Sequence, residues 1–158
     1  MNTIKDLRLE TLHIKHFLDF HKLTSSPKIA DNMYFSCCNT LKDSKIVFDT
    51  YYQAVSFALT HYTRCIGVFS FKPCKDSHEM ELSTMLLPEY WGKGYMSAIM
   101  KSMLPFAFST FNIHTLHAYT VSSNLACIQL LENNHFKCIE TFIEESIEVK
   151  HYIYKIAS

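Results

Sequence analysis

Gly92, Lys93 and Gly94 stand between an apolar run that ends at Leu87 and a run of helical apolar spacing that begins near Tyr95. A glycine-flanked turn in that position places unpaired backbone N–H groups at a helix N-terminus, where they and the helix dipole attract phosphate. Glycine matters because a side chain would hold the phosphate off the backbone, although the same residues also make an ordinary tight turn. Two carboxylates lie just upstream. If residues 79–87 alternate as a regular strand, Glu79 and Glu81 share a face, so either could receive a proton directly or through water, or both could simply face solvent. Nine histidines raise the question of a metal, with His13 and His16, and His114 and His117, each three apart. On strands such residues point to opposite faces and chelate poorly, so no metal site is expected.

Periodicity gives the elements that must position these groups. Residues 7–14 alternate as a strand, and helical spacing from Phe17 to His21 is broken by Ser25, Ser26 and Pro27. A second short helix is expected over 28–34. Thr40 or Asp43 caps a helix whose apolar positions include Ile46, Val47, Tyr51, Ala54 and Val55. Runs 56–59 and 65–71 read as a hairpin, 72–77 as a turn and 79–87 as a third strand. A helix over 91–108 carries Met96, Ile99, Met100, Met103, Leu104 and Phe108 on one face, and Pro105 should kink or terminate it. A strand over 114–121, a helix over 123–134 capped by Ser122 or Ser123, and two strands over 136–142 and 147–156 complete the chain. Tyr51, Tyr52, Tyr62, Phe69 and Phe71 are expected to pack between sheet and helix. The order is α+β, without the strict strand–helix alternation of a doubly wound fold.

At 158 residues and 48% hydrophobic content the chain can bury a core without disulfides, and no linker or repeat divides it, so a single domain over 1–158 is expected. Fifteen basic and fifteen acidic residues cancel, which leaves no broad electrostatic footprint for nucleic acid or an anionic membrane. The six cysteines show no CxxC spacing and two are adjacent, so a reducing cytoplasm is the simpler expectation. With no apolar signal region and no run of 18 apolar residues, a soluble, unprocessed protein is expected.

The stretch over 86–96, and Trp91-Gly92-Lys93-Gly94-Tyr95-Met96 within it, resembles the acyl-CoA pyrophosphate loop of the GNAT N-acetyltransferases, whose pattern is Gln/Arg-x-x-Gly-x-Gly/Ala. The similarity is to the branch of ribosomal-protein N-terminal acetyltransferases (RimJ/RimL type). Asn124, Leu130, Leu131 and Phe136 match that branch's Asn-x-x-Ser…LeuLeuGlu-x-x-GlyPhe run, with His135 at the glycine position. The resemblance extends from about Leu7 to Ile156.

It implies a mixed, mainly antiparallel central sheet flanked by helices, and transfer of acetyl from acetyl-CoA to a primary amine by direct attack in a ternary complex. It implies that Trp91, Gly92, Lys93, Gly94, Tyr95 and Met96 offer backbone donors to the pyrophosphate. Met85, Leu86 and Leu87 would pair with the pantetheine as an added strand, and Asn124 would hydrogen-bond the pantetheine arm. Glu81 stands where the branch frequently has a strand glutamate near the amine. Cys127 stands where it has a serine acid; a thiol could protonate the departing thiolate, accept the acetyl group, or merely pack. Glu140, Glu144, Glu145 and Glu148 gather around a connection that borders the acceptor groove in such folds, so they could concentrate a cationic amine or only keep a turn soluble. The acceptor would be a protein N-terminus or a cationic small molecule, with no metal, and the chain a monomer or homodimer. The alternative is a catalytically weak acyl-CoA-binding or protein-interaction module with the same fold.

Overall fold

A computed structural model describes residues 6–33 and 36–156. Seven strands form one mixed sheet, flanked by helices: β1 (Leu7–Thr11), β2 (Val55–His61), β3 (Arg64–Pro73), β4 (Glu79–Leu86), β5 (Thr115–Val121), β6 (Lys137–Glu144) and β7 (Ile147–Lys155). Their order is β1-β2-β3-β4-β5-β7-β6. β4 and β5 are parallel, whereas β1–β2, β2–β3, β5–β7 and β6–β7 are antiparallel. The helices are α1 (Phe17–Thr24), α2 (Pro27–Ala30), α3 (Leu41–Gln53), α4 (Tyr95–Phe111) and α5 (Leu125–Asn133). This is the α+β class read from the sequence. By its own contacts the chain divides into two compact units, one of the described residues up to Phe71 with Ser83–Tyr95, the other of Lys72–Leu82 with the described residues from Met96.

The first unit is organised by aromatic packing of α1 on α3. Phe20 meets Phe48 edge-on at 5.1 Å, and both are buried. Beside them the buried Ser44 hydroxyl is satisfied by His21 Nδ1 at 2.6 Å and Thr24 Oγ1 at 2.7 Å. Thr40 caps α3 in a reciprocal box, accepting the Asp43 N–H while Asp43 accepts the Thr40 N–H. The helix stops at Gln53, so Val55 belongs to β2 rather than to the helix. β3 is buried continuously from Cys65 to Phe71, and the Asp19 carboxylate ties α1 to it by accepting the Cys65 N–H at 3.0 Å.

The strand ends at Thr11, and His13 and His16 lie in a 3-10 turn, where His16 Nδ1 accepts the His13 N–H, so the opposite-face argument does not apply to them. The second short helix is one turn, Pro27–Ala30; position 34 lies outside the described residues. Phe69 and Phe71 are fully buried, but Tyr52 and Tyr62 are 51% and 68% exposed. Tyr52 is on the outer side of α3, stacked on Phe48, and Tyr62 is in the β2–β3 turn at φ 55°.

α4 starts at Tyr95 rather than at position 91 and runs to Phe111 with Pro105 inside it, and from Met96 onward it belongs to the second unit. Proline in a helix interior costs about 3 kcal/mol, yet Leu104, Ala107 and Phe108 are buried on either side of it, and that burial carries the helix through. Neither Ser122 nor Ser123 caps α5. Ser122 N–H extends the sheet ladder by donating to Glu148 O, and Asn124 caps α5 by accepting the Cys127 N–H at 3.1 Å.

α5 ends in a Schellman turn: Phe136 N–H donates to Leu131 O and His135 N–H to Glu132 O, with His135 at φ 67°. The left-handed region is costly for any residue with a Cβ, which accounts for a glycine at this point in the motif. We therefore expect His135→Gly to stabilise the protein by about 0.5–1 kcal/mol. The check is a higher urea midpoint with an unchanged m-value.

Candidate active site

In the first unit, the end of β4 leads through a 3-10 turn at Pro88–Tyr90 into the Trp91–Gly94 turn. Gly92 and Gly94 hold φ of 69° and 76°, and a Cβ built on either meets nothing within 4 Å. Space does not demand these glycines; the backbone conformation does, and it leaves the main chain open to an approaching ligand. The N–H groups of Tyr95 and the next three residues open α4 and have no partner within the helix by geometry. No acidic side chain occupies that first turn to compete with an anion. Lys93 Nζ lies 5.3 Å from the centre of the Tyr90 ring, so the loop's one cation is parked on an aromatic face.

The β4 backbone before this loop is partly engaged. Leu87 N–H donates to Ile66 O at 2.9 Å, and the Trp91 indole donates to Leu86 O at 2.7 Å. Met85 is buried, and its carbonyl lies 2.6 Å from where a Cβ on Gly67 would stand, so β3 and β4 meet closely there.

In the second unit, Met80 and Leu82 are buried while Glu79 and Glu81 are half-buried on the opposite face, as regular alternation requires. Glu79 Oε2 is 2.9 Å from His117 Nε2, and His117 Nδ1 is 2.8 Å from His151 Nε2. Glu81 pairs with His117 in the β4–β5 register. Tyr119 stacks on the His151 ring at 4.3 Å, and Glu140 Oε2 lies 3.9 Å from His151 Nδ1. Burial and the neighbouring His117 hold His151 below the ordinary histidine range, against the pull of Glu140. Burial, then the charge of Glu81, push the Tyr119 phenol up. On the first turn of α5, burial pushes the Cys127 thiol up, opposed by a hydrogen bond with the Thr120 side chain. A half-buried thiol kept protonated is a poor nucleophile.

A family model described as an acetyltransferase (GNAT) domain matches residues 6–137. The chain belongs to the GNAT acetyltransferase family. Among solved structures, a GNAT-family acetyltransferase from Bacillus anthracis is similar at 17% identity, with a TM-score of 0.82 over 96% of this chain and 95% of that one. A spermidine N-acetyltransferase from Vibrio cholerae, solved with CoA and spermine, is similar at 17% identity and a TM-score of 0.82, covering 95% of each chain. At that identity the likeness speaks for the fold. No curated protein matches the chain.

In this GNAT domain the residues read from the sequence fall into separate groups. Trp91, Gly92, Lys93, Gly94 and Tyr95 form one continuous turn entering α4, and half-buried Met96 follows as the second residue of the helix. Glu81 shares its face with Glu79, whereas Asn124 and Cys127 meet at the start of α5. Of the acidic group, Glu140 turns toward His151, while Glu144, Glu145 and Glu148 lie exposed at the β6–β7 turn. The array of Glu79, His117, His151 and Tyr119 was not anticipated. Its contacts span 34 and 38 residues, and only the strand register reveals them.

Proposed function

We propose that this GNAT acetyltransferase acts as a single domain over 1–158 and transfers acetyl from acetyl-CoA to a primary amine by direct attack in a ternary complex. The observation that carries the reading is the Trp91–Gly94 turn, with both glycines at positive φ and open space at each Cα, immediately before a helix of 17 residues. Backbone donors from Trp91 to Met96 would hold the pyrophosphate. Met85, Leu86 and Leu87 would face the pantetheine arm, with Leu86 O available once the Trp91 indole releases it. Asn124 would offer its amide N–H, its oxygen being used as the α5 cap.

Glu81 is the carboxylate that meets and orients the acceptor ammonium, since Glu79 is already held by His117, and the ammonium proton leaves to a base on this face directly or through water. Cys127 supplies a proton to the departing thiolate. The acidic face of Glu79, Glu81 and Glu140 favours a cationic acceptor, either a peptide N-terminus, as in the RimJ/RimL-type branch, or a small polyamine. The spermine bound by the Vibrio cholerae neighbour supports the second choice. We place the protein in the cytoplasm as a monomer or homodimer, with no metal, nucleic acid or membrane in its chemistry. No described helix is long and apolar enough to cross a membrane.

A catalytically weak acyl-CoA-binding or interaction module is the second reading, favoured by the Trp91 indole on Leu86 O and by Met96 at a position where the family has a small residue. One experiment separates the two. Trp91 is the chain's single tryptophan, so its emission reports directly on the loop. Acetyl-CoA should change that emission saturably, and amines from a panel of polyamines and N-terminal peptides should then release free thiol. A saturable emission change without thiol release on any amine supports the acyl-CoA-binding module; no emission change and no release removes both acetyl transfer and acyl-CoA binding and leaves the interaction module.

A further inference from the structure

Glu79, His117 and His151 form a connected chain of titratable groups across β4, β5 and β7. The carboxylate at one end fixes the protons along it. An ionised Glu79 can only accept, so His117 Nε2 carries a proton. In the neutral ring His117 Nδ1 is then a lone pair, and the 2.8 Å contact requires His151 Nε2 to donate to it. One imidazole nitrogen in the chain is left with an uncommitted lone pair, His151 Nδ1. Glu140 Oε2, 3.9 Å away on β6, is too far to hydrogen-bond it directly. The stacked Tyr119 ring fixes the plane of His151, so that lone pair has one direction.

We propose that this array is the base that takes the proton of the acceptor ammonium, with His151 Nδ1 as its point of entry and Glu79 and His117 as positioning residues. The inference rests on the acetyl-transfer reading and names the groups that govern its proton. The ammonium N–H bond breaks with its electron pair left on nitrogen, which becomes the nucleophile. The proton bonds to His151 Nδ1, the proton on His151 Nε2 passes to His117 Nδ1, and the array ends as an imidazolium at His117 held between Glu79 and a neutral His151. Release to water by the reverse path resets it. General bases work best when their pKa lies near the working pH, which an imidazole meets and an exposed carboxylate does not. The groups facing the pair are Glu79 and Glu81 from β4, Tyr119 from β5 and Glu140 from β6, and the three carboxylates favour an incoming cation. Burial of His151 and the adjacent His117 outweigh them at His151 itself, so its ring is neutral and ready at pH 7.

The test is the pH dependence of thiol release from acetyl-CoA with a polyamine as acceptor, in wild type, His117→Gln, His151→Gln and Glu81→Gln. Wild-type kcat/KM should rise with pH through an ionisation below the ordinary histidine value of about 6.5. Each histidine variant should lose that ionisation and about tenfold in kcat, less than a general base usually contributes because Glu81 and water remain. KM for acetyl-CoA should not move. Glu81→Gln should keep the ionisation and raise KM for the amine. Carbon and nitrogen magnetic resonance of wild type should show both rings responding together in each macroscopic step of the pair. Unchanged pH profiles in both histidine variants, or two independent ring titrations, overturn the base assignment while leaving acetyl transfer intact. No turnover of any amine by the wild type overturns acetyl transfer itself, and the base role with it.

Discussion

Gly94→Val is expected to weaken acetyl-CoA binding by at least a hundredfold while the rest of the protein stays folded. The lesion has two parts. At φ 76° a β-branched residue is badly strained, at a cost of about 1–3 kcal/mol to hold the turn. If the turn relaxes instead, the backbone N–H groups that precede α4 no longer converge on a phosphate, and several charge-assisted hydrogen bonds of about 1.5–3 kcal/mol each are lost. Nothing lies within 4 Å of the added Cβ, so the change opens no cavity and creates no clash in the core. Gly94→Asn separates the two parts, because asparagine tolerates the left-handed region yet still projects a side chain toward the ligand. Its affinity should fall between those of wild type and Gly94→Val. Titration calorimetry with acetyl-CoA, alongside circular dichroism, measures both quantities, and full affinity in a folded Gly94→Val protein would remove the phosphate-loop assignment.

What the sequence made legible was governed by short-range rules. β4 alternates at its start, Thr40 and Asp43 cap α3 three residues apart, and Gly92 and Gly94 punctuate a strand-to-helix turn, so each could be read within a window of about ten residues. Local rules failed where tertiary packing overrode them. Pro105 should stop a helix by its own chemistry, but burial of Leu104, Ala107 and Phe108 holds α4 together past it. Ser122 and Ser123 both have cap chemistry, so the sequence alone points to them; the bond from Ser122 N–H to Glu148 O, 26 positions along, and the turn closed by Asn124 N–H on Val121 O leave both serines ahead of the helix and put Asn124 at its cap. The Glu79, His117 and His151 array is the extreme case. Its members are unremarkable in their own segments and acquire chemistry from the β4–β5 and β5–β7 registers.

Cys127→Ala is expected to lower kcat on the order of 10²-fold with little change in KM for acetyl-CoA, the size of effect a positioned general acid contributes. The argument begins at the cap. Asn124 Oδ1 fixes the Cys127 N–H at the first turn of α5, so the thiol sits at a defined place instead of on a fraying end. A helix N-terminus ordinarily lowers a thiol's pKa, but here burial outweighs it and holds the group protonated. The sign follows: an acid must carry its proton, so a raised pKa extends the active range upward, and kcat should stay level beyond the ordinary cysteine value of about 8.5 before it falls. Cys127→Ser puts a smaller O–H donor in place of the thiol at the same capped position and should recover part of the loss. The covalent alternative needs a thiolate, which the burial disfavours, and it would leave an acetyl group on Cys127 that mass spectrometry detects after mixing with acetyl-CoA alone. Wild-type rates in both variants would make Cys127 a packing residue, and an acetylated thiol would replace the acid role with a ping-pong route.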